Sequence, residues 1–247
     1  GFGGGYAGLF SYDLGRAFEA LPQTPSALSS WPALAVGWYP AVAVFDHDAR
    51  SLTVRGEAGA ARRLAEAIER PARPEQAGPG WFEQVWKDDR YLEAARRAVD
   101  YVRAGDVFQV NLSHPFRGAL PGPDGPFRLI RRLAEQSPAA FSAYLRIDER
   151  RAVVSNSPER FVSADAGGRV ETRPIKGTRA RRADREEDRR AAAALAASQK
   201  DRAENLMIVD LMRNDLARVC AAGSVRTPEL FKVESFANVH HLVSTVT

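Results

Sequence analysis

Thr172-Arg173-Pro174-Ile175-Lys176-Gly177-Thr178-Arg179 leaves a strand, is stiffened by Pro174, and carries a glycine where backbone can approach a ligand. Upstream lie short strand-like runs: Phe141 to Ile147, Ala152 to Ser155 and Arg160 to Ser163, with Gly167-Gly168 turning into Val170 to Arg173. Downstream, helical character dominates from Glu186 to about Val219, and Leu230 to Val246 returns to strand composition. Strand runs and helical runs are thus segregated, which predicts α+β with antiparallel sheets rather than alternating βαβ units.

The N-terminal half repeats this segregation. The glycine-rich start, Gly1 to Phe10, reads as a tightly packed strand, since a phosphate loop needs a preceding strand and a following helix. Leu34 to Phe45 and Leu52 to Val54 flank a turn at Asp46-His47-Asp48, a hairpin. Ala60 to Arg70 is helical, and residues 71–80 hold three prolines and two glycines, a linker or long loop within one domain spanning 1–247. Asp88 is placed to cap a helix that Gly105 stops. Val107 to Phe116 alternates apolar and polar residues, as a half-buried strand does. Pro126 to Glu135 is a short helix.

Bulk properties exclude several classes. A chain of 247 residues can bury a core. No apolar run is long enough to cross a bilayer. One cysteine, Cys220, allows no internal disulfide and fits a reducing, cytoplasmic setting. The net charge of +4 is mild, and the signs are interleaved from Arg181 to Arg190, which argues against a nucleic-acid binder. Of 35 basic residues only four are lysines, so a lysine here is more readily present for its amine than for charge alone.

Three groups can carry chemistry. Lys176 sits between Arg173 and Arg179, whose charges would disfavour its protonated form, as a nucleophilic amine requires; the same spacing fits a basic surface turn. Asp201 and Glu204 lie three apart at the start of an apolar helix, on one face. They could hold Mg²⁺ or simply offset the helix dipole. His240 and His241 are adjacent in a strand, so they face opposite ways and are not joint ligands of one metal.

In this order and at these separations, the segments resemble the chorismate-utilising enzymes. The resemblance is carried by Gly4 to Asp13, Gly105 to Phe116, Ser157-Pro158-Glu159-Arg160-Phe161, Thr172 to Arg179, Lys200 to Val219 and Val233 to Val246. It implies an α+β fold with two large antiparallel sheets packed face to face and flanked by helices, incomplete here. It also implies chorismate as substrate, Mg²⁺ at Glu204 with Asp201 nearby, and substrate contacts from Gly177 and Thr178. Glu159 is the implied general acid, and His241 lies beside the substrate. Lys176 together with Gln109 resembles the aminodeoxychorismate branch, in which the lysine is a covalent nucleophile and ammonia comes from a glutamine amidotransferase partner. Anthranilate synthases, the alternative, carry alanine at that lysine; isochorismate and salicylate synthases carry a lysine where Gln109 stands. Ala140-Phe141-Ser142 resembles one wall of the family's tryptophan pocket, which leaves a non-catalytic tryptophan-sensing or subunit-docking role as a third reading. The chain begins without methionine and reads as cut at both ends. Family members continue into a glycine-rich segment with further metal-binding glutamates, so the isolated 247 residues are expected to be inactive with an exposed, incomplete sheet.

Overall fold

The computed structural model describes residues 3–21, 31–70 and 80–247. Apart from Gly80, the expected linker lies outside the described residues. The chain divides into two compact units, Gly1–Pro126 with Ile147–Arg151, and Phe127–Arg146 with Ala152–Thr247.

The first unit is made of two-stranded ribbons and helices. Strand β1 (Gly5–Phe10) pairs antiparallel with β2 (Leu34–Tyr39). Gly8 is needed there: a Cβ would fall 2.0 Å from the Ala35 carbonyl oxygen. The expected run from Leu34 to Phe45 is broken at Pro40 into β2 and β3 (Ala41–Asp46), and β3 turns back as the predicted hairpin into β4 (Ser51–Gly56). The Asp46 carboxylate accepts the Ala49 N–H at 2.8 Å and closes that turn. Helix α1 (Ala58–Glu69) follows. Strand β5 (Trp81–Gln84) precedes α2 (Asp88–Ala104), and β5 pairs with β6 (Phe116–Ala119).

Two expectations are corrected in this unit. Lys87, not Asp88, occupies the N-cap of α2 and makes no side-chain cap; Asp88 is the first helical residue, where a carboxylate suits the helix dipole. Gly105 does stop the helix, at φ +81°. Val107 to Pro115 is not a strand, and only Phe116 enters β6. An alternating pattern makes a strand only where a neighbour supplies a ladder, and among the described residues the stretch gains a single such bond, from the Val85 N–H to the Pro115 carbonyl at its end. No large apolar side chain of the first unit is buried among the described residues.

The second unit holds the core. Helix α3 (Gly125–Gln136) begins at the boundary, followed by the hairpin β7 (Phe141–Arg146) and β8 (Ala152–Ser157). Arg160 to Ser163, read as a strand, is irregular; only β9 (Ser163–Ala164) pairs with β10 (Val170–Glu171). Strand β11 (Ile175–Ala180) leads through α4 (Arg185–Ala197) and α5 (Gln199–Ala217) to β12 (Glu229–Ser235) and β13 (Val239–Thr245). The sheet order is β11-β13-β12, all antiparallel. Asp184 caps α4 by accepting the Glu186 and Glu187 N–H groups. Ser198 both ends α4 and caps α5, its hydroxyl accepting the Asp201 N–H.

Central strand β13 is the most buried element. Leu242 and Val243 are buried on its two faces, Leu195 is buried in α4, and Val246 just past the strand packs with Val209 and Leu216 of α5. The fully buried Asn205 of α5 donates to the Leu242 carbonyl and accepts from Ser244 Oγ, so a polar side chain ties helix to sheet. The α+β class stands. The sheets, however, are small: the described residues form two-stranded ribbons and one three-stranded sheet, not two large sheets. Large sheets need hairpin edges to pair with one another, and among these residues they do not. No helix among the described residues is long and apolar enough to cross a membrane.

Candidate active site

Lys176 lies within β11, not beyond it, at an irregularity in the ladder. Ile175 is opposite Val243 and Thr178 opposite His241, so a three-residue step on β11 meets a two-residue step on β13. The extra residue is a β-bulge, and Gly177 absorbs it at φ +88°. Gly177 does meet a close neighbour, but one from the protein itself: a Cβ there would lie 2.9 Å from Asp201 Cβ and 3.0 Å from Leu195 Cδ1. Among the described residues the Lys176 amine has no hydrogen-bond or ion-pair partner. The flanking arginines do not press their charge on it freely. Arg173 is paired with Glu234, and Arg179 with Asp201 at 2.9 Å.

Glu159 and His241 gather at the same strand. The Glu159 carboxylate accepts the Ile175 N–H at 3.0 Å, one residue before Lys176. Thr178 Oγ1 and His241 Nδ1 are 2.9 Å apart. Burial holds the His241 imidazole below its ordinary pKa, and the carboxylates of Glu159 and Glu234 oppose that shift. His240, on the other face, is a separate fixture: Nε2 meets Asp188 at 3.0 Å and Nδ1 meets Ser235 Oγ at 2.8 Å. Asp188 is in turn gripped by Arg181, which holds its carboxyl far below the usual range. Both histidines are buried, and they face apart as the strand pattern predicts.

Two adjoining clefts open here. One, of about 230 Å³, is lined by Ala140, Asn156, Phe236, Asn238 and His241 among others. The second, of about 170 Å³, is lined by Phe141, Glu159, Arg173 and Ile175, and shares Ala140, Pro158 and Phe236 with the first. Lys176 is in the lining of neither.

The acidic residues of α5 differ in their commitments. Asp201, 7% exposed, is held below its ordinary pKa first by the Ser198 hydroxyl and then by the Arg179 guanidinium. Glu204, half-buried, has no hydrogen-bond or ion-pair partner among the described residues. As a donor set for Mg²⁺ this is one available carboxylate, which fits an ion that takes one or two carboxylates and completes its shell with water and substrate. No cluster of three or more metal-ligating side chains occurs among the described residues.

The chorismate binding enzyme family matches residues 2–247. The chain belongs to that family. It is 44% identical to aminodeoxychorismate synthase component 1 of Salmonella typhimurium over its whole length, covering 54% of that protein. It is 42% identical to anthranilate synthase component 1 of Thermus thermophilus, covering 99% of this chain and 54% of the relative. The crystal structure of anthranilate synthase component I from Streptococcus pneumoniae superposes on 99% of this chain and 57% of that one, with a TM-score of 0.84 at 29% identity. The chain therefore spans about half the length of the curated relatives it matches.

In this member of the family, the second unit carries Lys176, Gly177 and Thr178 on β11, with Glu159 bonded to the β11 backbone and His241 on the paired β13, while Asp201 and Glu204 lie in α5. Gln109 belongs to the first unit; its Oε1 is buried without a hydrogen-bond partner among the described residues. Ala140 and Phe141 line the clefts, while the exposed Ser142 hydroxyl bonds to the Ala139 carbonyl and Asn156 Oδ1. Sequence reasoning missed Asn156, Phe236 and Asn238, because their shared cleft depends on β8 meeting the β12–β13 turn, which no local pattern encodes. It also missed the Arg179–Asp201 pair, although two opposite charges on a strand and a following helix were in view.

Proposed function

We propose that this chain carries the chorismate-binding core of an aminodeoxychorismate synthase, which converts chorismate and ammonia to 4-amino-4-deoxychorismate and water. The observation that carries the reading is a lysine presented on a bulge beside a carboxylate that touches the preceding backbone N–H. The 44% identity to a relative of that name supports it.

In this reading the uncharged amine of Lys176 attacks C2 of the chorismate ring. The C4 hydroxyl departs as water, taking its proton from Glu159, a general acid placed one residue from the nucleophile. Ammonia then adds at C4 and the C2–nitrogen bond breaks, restoring Lys176, and the proton shed by the new C4 amine returns to Glu159. Gly177 and Thr178 contact the substrate, and Thr178 orients His241 beside it. Burial keeps the imidazole neutral, able to donate a hydrogen bond without adding a charge. Gln109 stands where water-using relatives have a base, so ammonia rather than water is the nucleophile admitted. Glu204, with Asp201 nearby, is the place for Mg²⁺. When bound, the ion supplies charge stabilisation for the substrate carboxylate. The ammonia comes from a glutamine amidotransferase partner.

The second reading, anthranilate synthase component I, is favoured by the 42% identity to the Thermus thermophilus enzyme and by the Streptococcus pneumoniae structure. Lys176 favours the first reading, because the resemblance implies alanine at that position in the anthranilate branch. Product analysis on the full-length protein carrying these residues, with chorismate, Mg²⁺ and ammonium, tests the choice. Formation of 4-amino-4-deoxychorismate is expected; fluorescent anthranilate as the product would overturn it.

A further inference from the structure

We infer that Asp201 is a positioning residue, a clamp on the Lys176–Gly177 bulge, and leaves the metal to Glu204. The inference rests on the reading of Lys176 as the nucleophile. It starts from an asymmetry between two carboxylates on one face of one helix.

Asp201 touches the bulge at two points. Its Cβ and Cγ lie 2.9 and 3.1 Å from where a Gly177 side chain would begin, so the bulged backbone rests directly on the Asp201 side chain. Two residues further along β11, Arg179 donates from Nη2 to Asp201 Oδ2 at 2.9 Å. The same guanidinium donates from Nη1 to the Thr178 carbonyl at 2.9 Å, stapling the strand just past the bulge. Asp201 sits in the first turn of α5, its N–H donating to the Ser198 cap. A bulge bends a strand and re-aims the side chains around it. With Gly177 free to adopt many conformations, something outside the strand must select one, and Asp201 meets it on the Gly177 side.

A carboxylate so engaged is a poor first ligand for a dication. Mg²⁺ at Asp201 Oδ2 would have to displace the Arg179 guanidinium or sit against its charge. Glu204, one turn further on, carries no such partner among the described residues. The two acidic residues therefore divide the work: Glu204 for the ion, Asp201 for the geometry of the amine.

The test uses the full-length protein that carries these residues and three variants, Asp201→Asn, Arg179→Gln and Glu204→Gln, with the Asp201/Arg179 double variant. Two readouts need no turnover: the rate at which an amine reagent labels Lys176, followed by peptide mass spectrometry, and the affinity for Mg²⁺ titrated alone. Asp201→Asn and Arg179→Gln are expected to change the Lys176 labelling rate severalfold and alike. The double variant should go no further, since the two residues act as one unit. Both should keep wild-type Mg²⁺ affinity, and kcat should fall by up to about 10²-fold, as misplacement of a reacting group does. Glu204→Gln should weaken Mg²⁺ binding roughly tenfold or more and leave the labelling rate alone. The clamp is overturned if Asp201→Asn weakens Mg²⁺ binding as Glu204→Gln does, or leaves Lys176 labelling unchanged. If Asp201→Asn unfolds, the half-exposed Arg179→Gln carries both readouts by itself. Failure of the wider reading looks different: Lys176→Ala would then retain turnover while the labelling and metal results stood.

Discussion

The strands of the first-unit ribbons are richer in apolar residues than those of the sheet β11-β13-β12, yet they bury less of them. Beneath α4 and α5, Leu195, Leu242 and Val246 are wholly buried. In the first unit Phe10 is 68% exposed, Phe45 61% and Phe82 57%. The difference lies in what each strand has beside it. β13 has a strand on both edges and α4 and α5 packed against it, whereas among the described residues each first-unit strand pairs along one edge alone, with α1 lying against β3 and β4. Apolar surface stabilises a fold only when something removes it from water, so the second unit carries the energetic weight and, with it, the candidate chemistry.

That contrast can be broken most sharply by truncation. Leu242→Ala or Leu195→Ala should cost about 2–5 kcal/mol, transfer and cavity terms together, whereas Phe45→Ala should stay within about 0.5 kcal/mol. Denaturant melts of both compare the units directly, and equal costs would erase the distinction. Asn205→Leu is next in size. It strands the Leu242 carbonyl and Ser244 hydroxyl, a loss of about 1–3 kcal/mol. A neutral outcome in the same melts would mean α5 is held to β13 by apolar packing alone. Gly177→Ala forces a side chain into positive φ and onto Asp201, and should cost of order 1–3 kcal/mol. Gly168→Ala, also at positive φ but with nothing nearby, should cost less; the reverse order would deny the close approach.

The smallest effect is in pH. Burial lowers the His241 pKa, so the unfolded chain takes up the proton first, near pH ~6.5. The stability from keeping His241 neutral is complete above that value and is lost as pH falls through the folded-state pKa. Tm should therefore decline below pH ~6.5, and His241→Gln should flatten the decline. A profile that His241→Gln leaves unchanged would assign the dependence elsewhere.

How much of this was legible depended on distance along the chain. Helices α1, α2 and α3, the β3–β4 hairpin and strands β7 and β8 were readable, since periodicity and turn residues are local; the stretch from Glu186 to Val219 was read as helical, but not its division at Ser198 into α4 and α5. The bulge at Lys176 was not, because register on β11 is set by β13, more than sixty positions downstream. Val107 to Pro115 misled for the same reason: alternation describes a surface a strand could offer, not whether a neighbour takes it. In the site, Lys176, Asp201 and Glu204 stood out from their local sequence, whereas Glu159 and the role of each residue came only through the family resemblance. What Arg179 does to Asp201 could be seen only once β11 lay on α5.

In the proposed mechanism the Lys176 nitrogen bonds to the substrate ring. Full-length protein incubated with chorismate and Mg²⁺ without ammonia, quenched and digested, tests it by mass spectrometry of the peptide spanning residue 176. A mass increase of one chorismate less one water, on Lys176 and absent from Lys176→Ala, is predicted. An unmodified Lys176 peptide, together with undiminished 4-amino-4-deoxychorismate formation by Lys176→Ala, would contradict it.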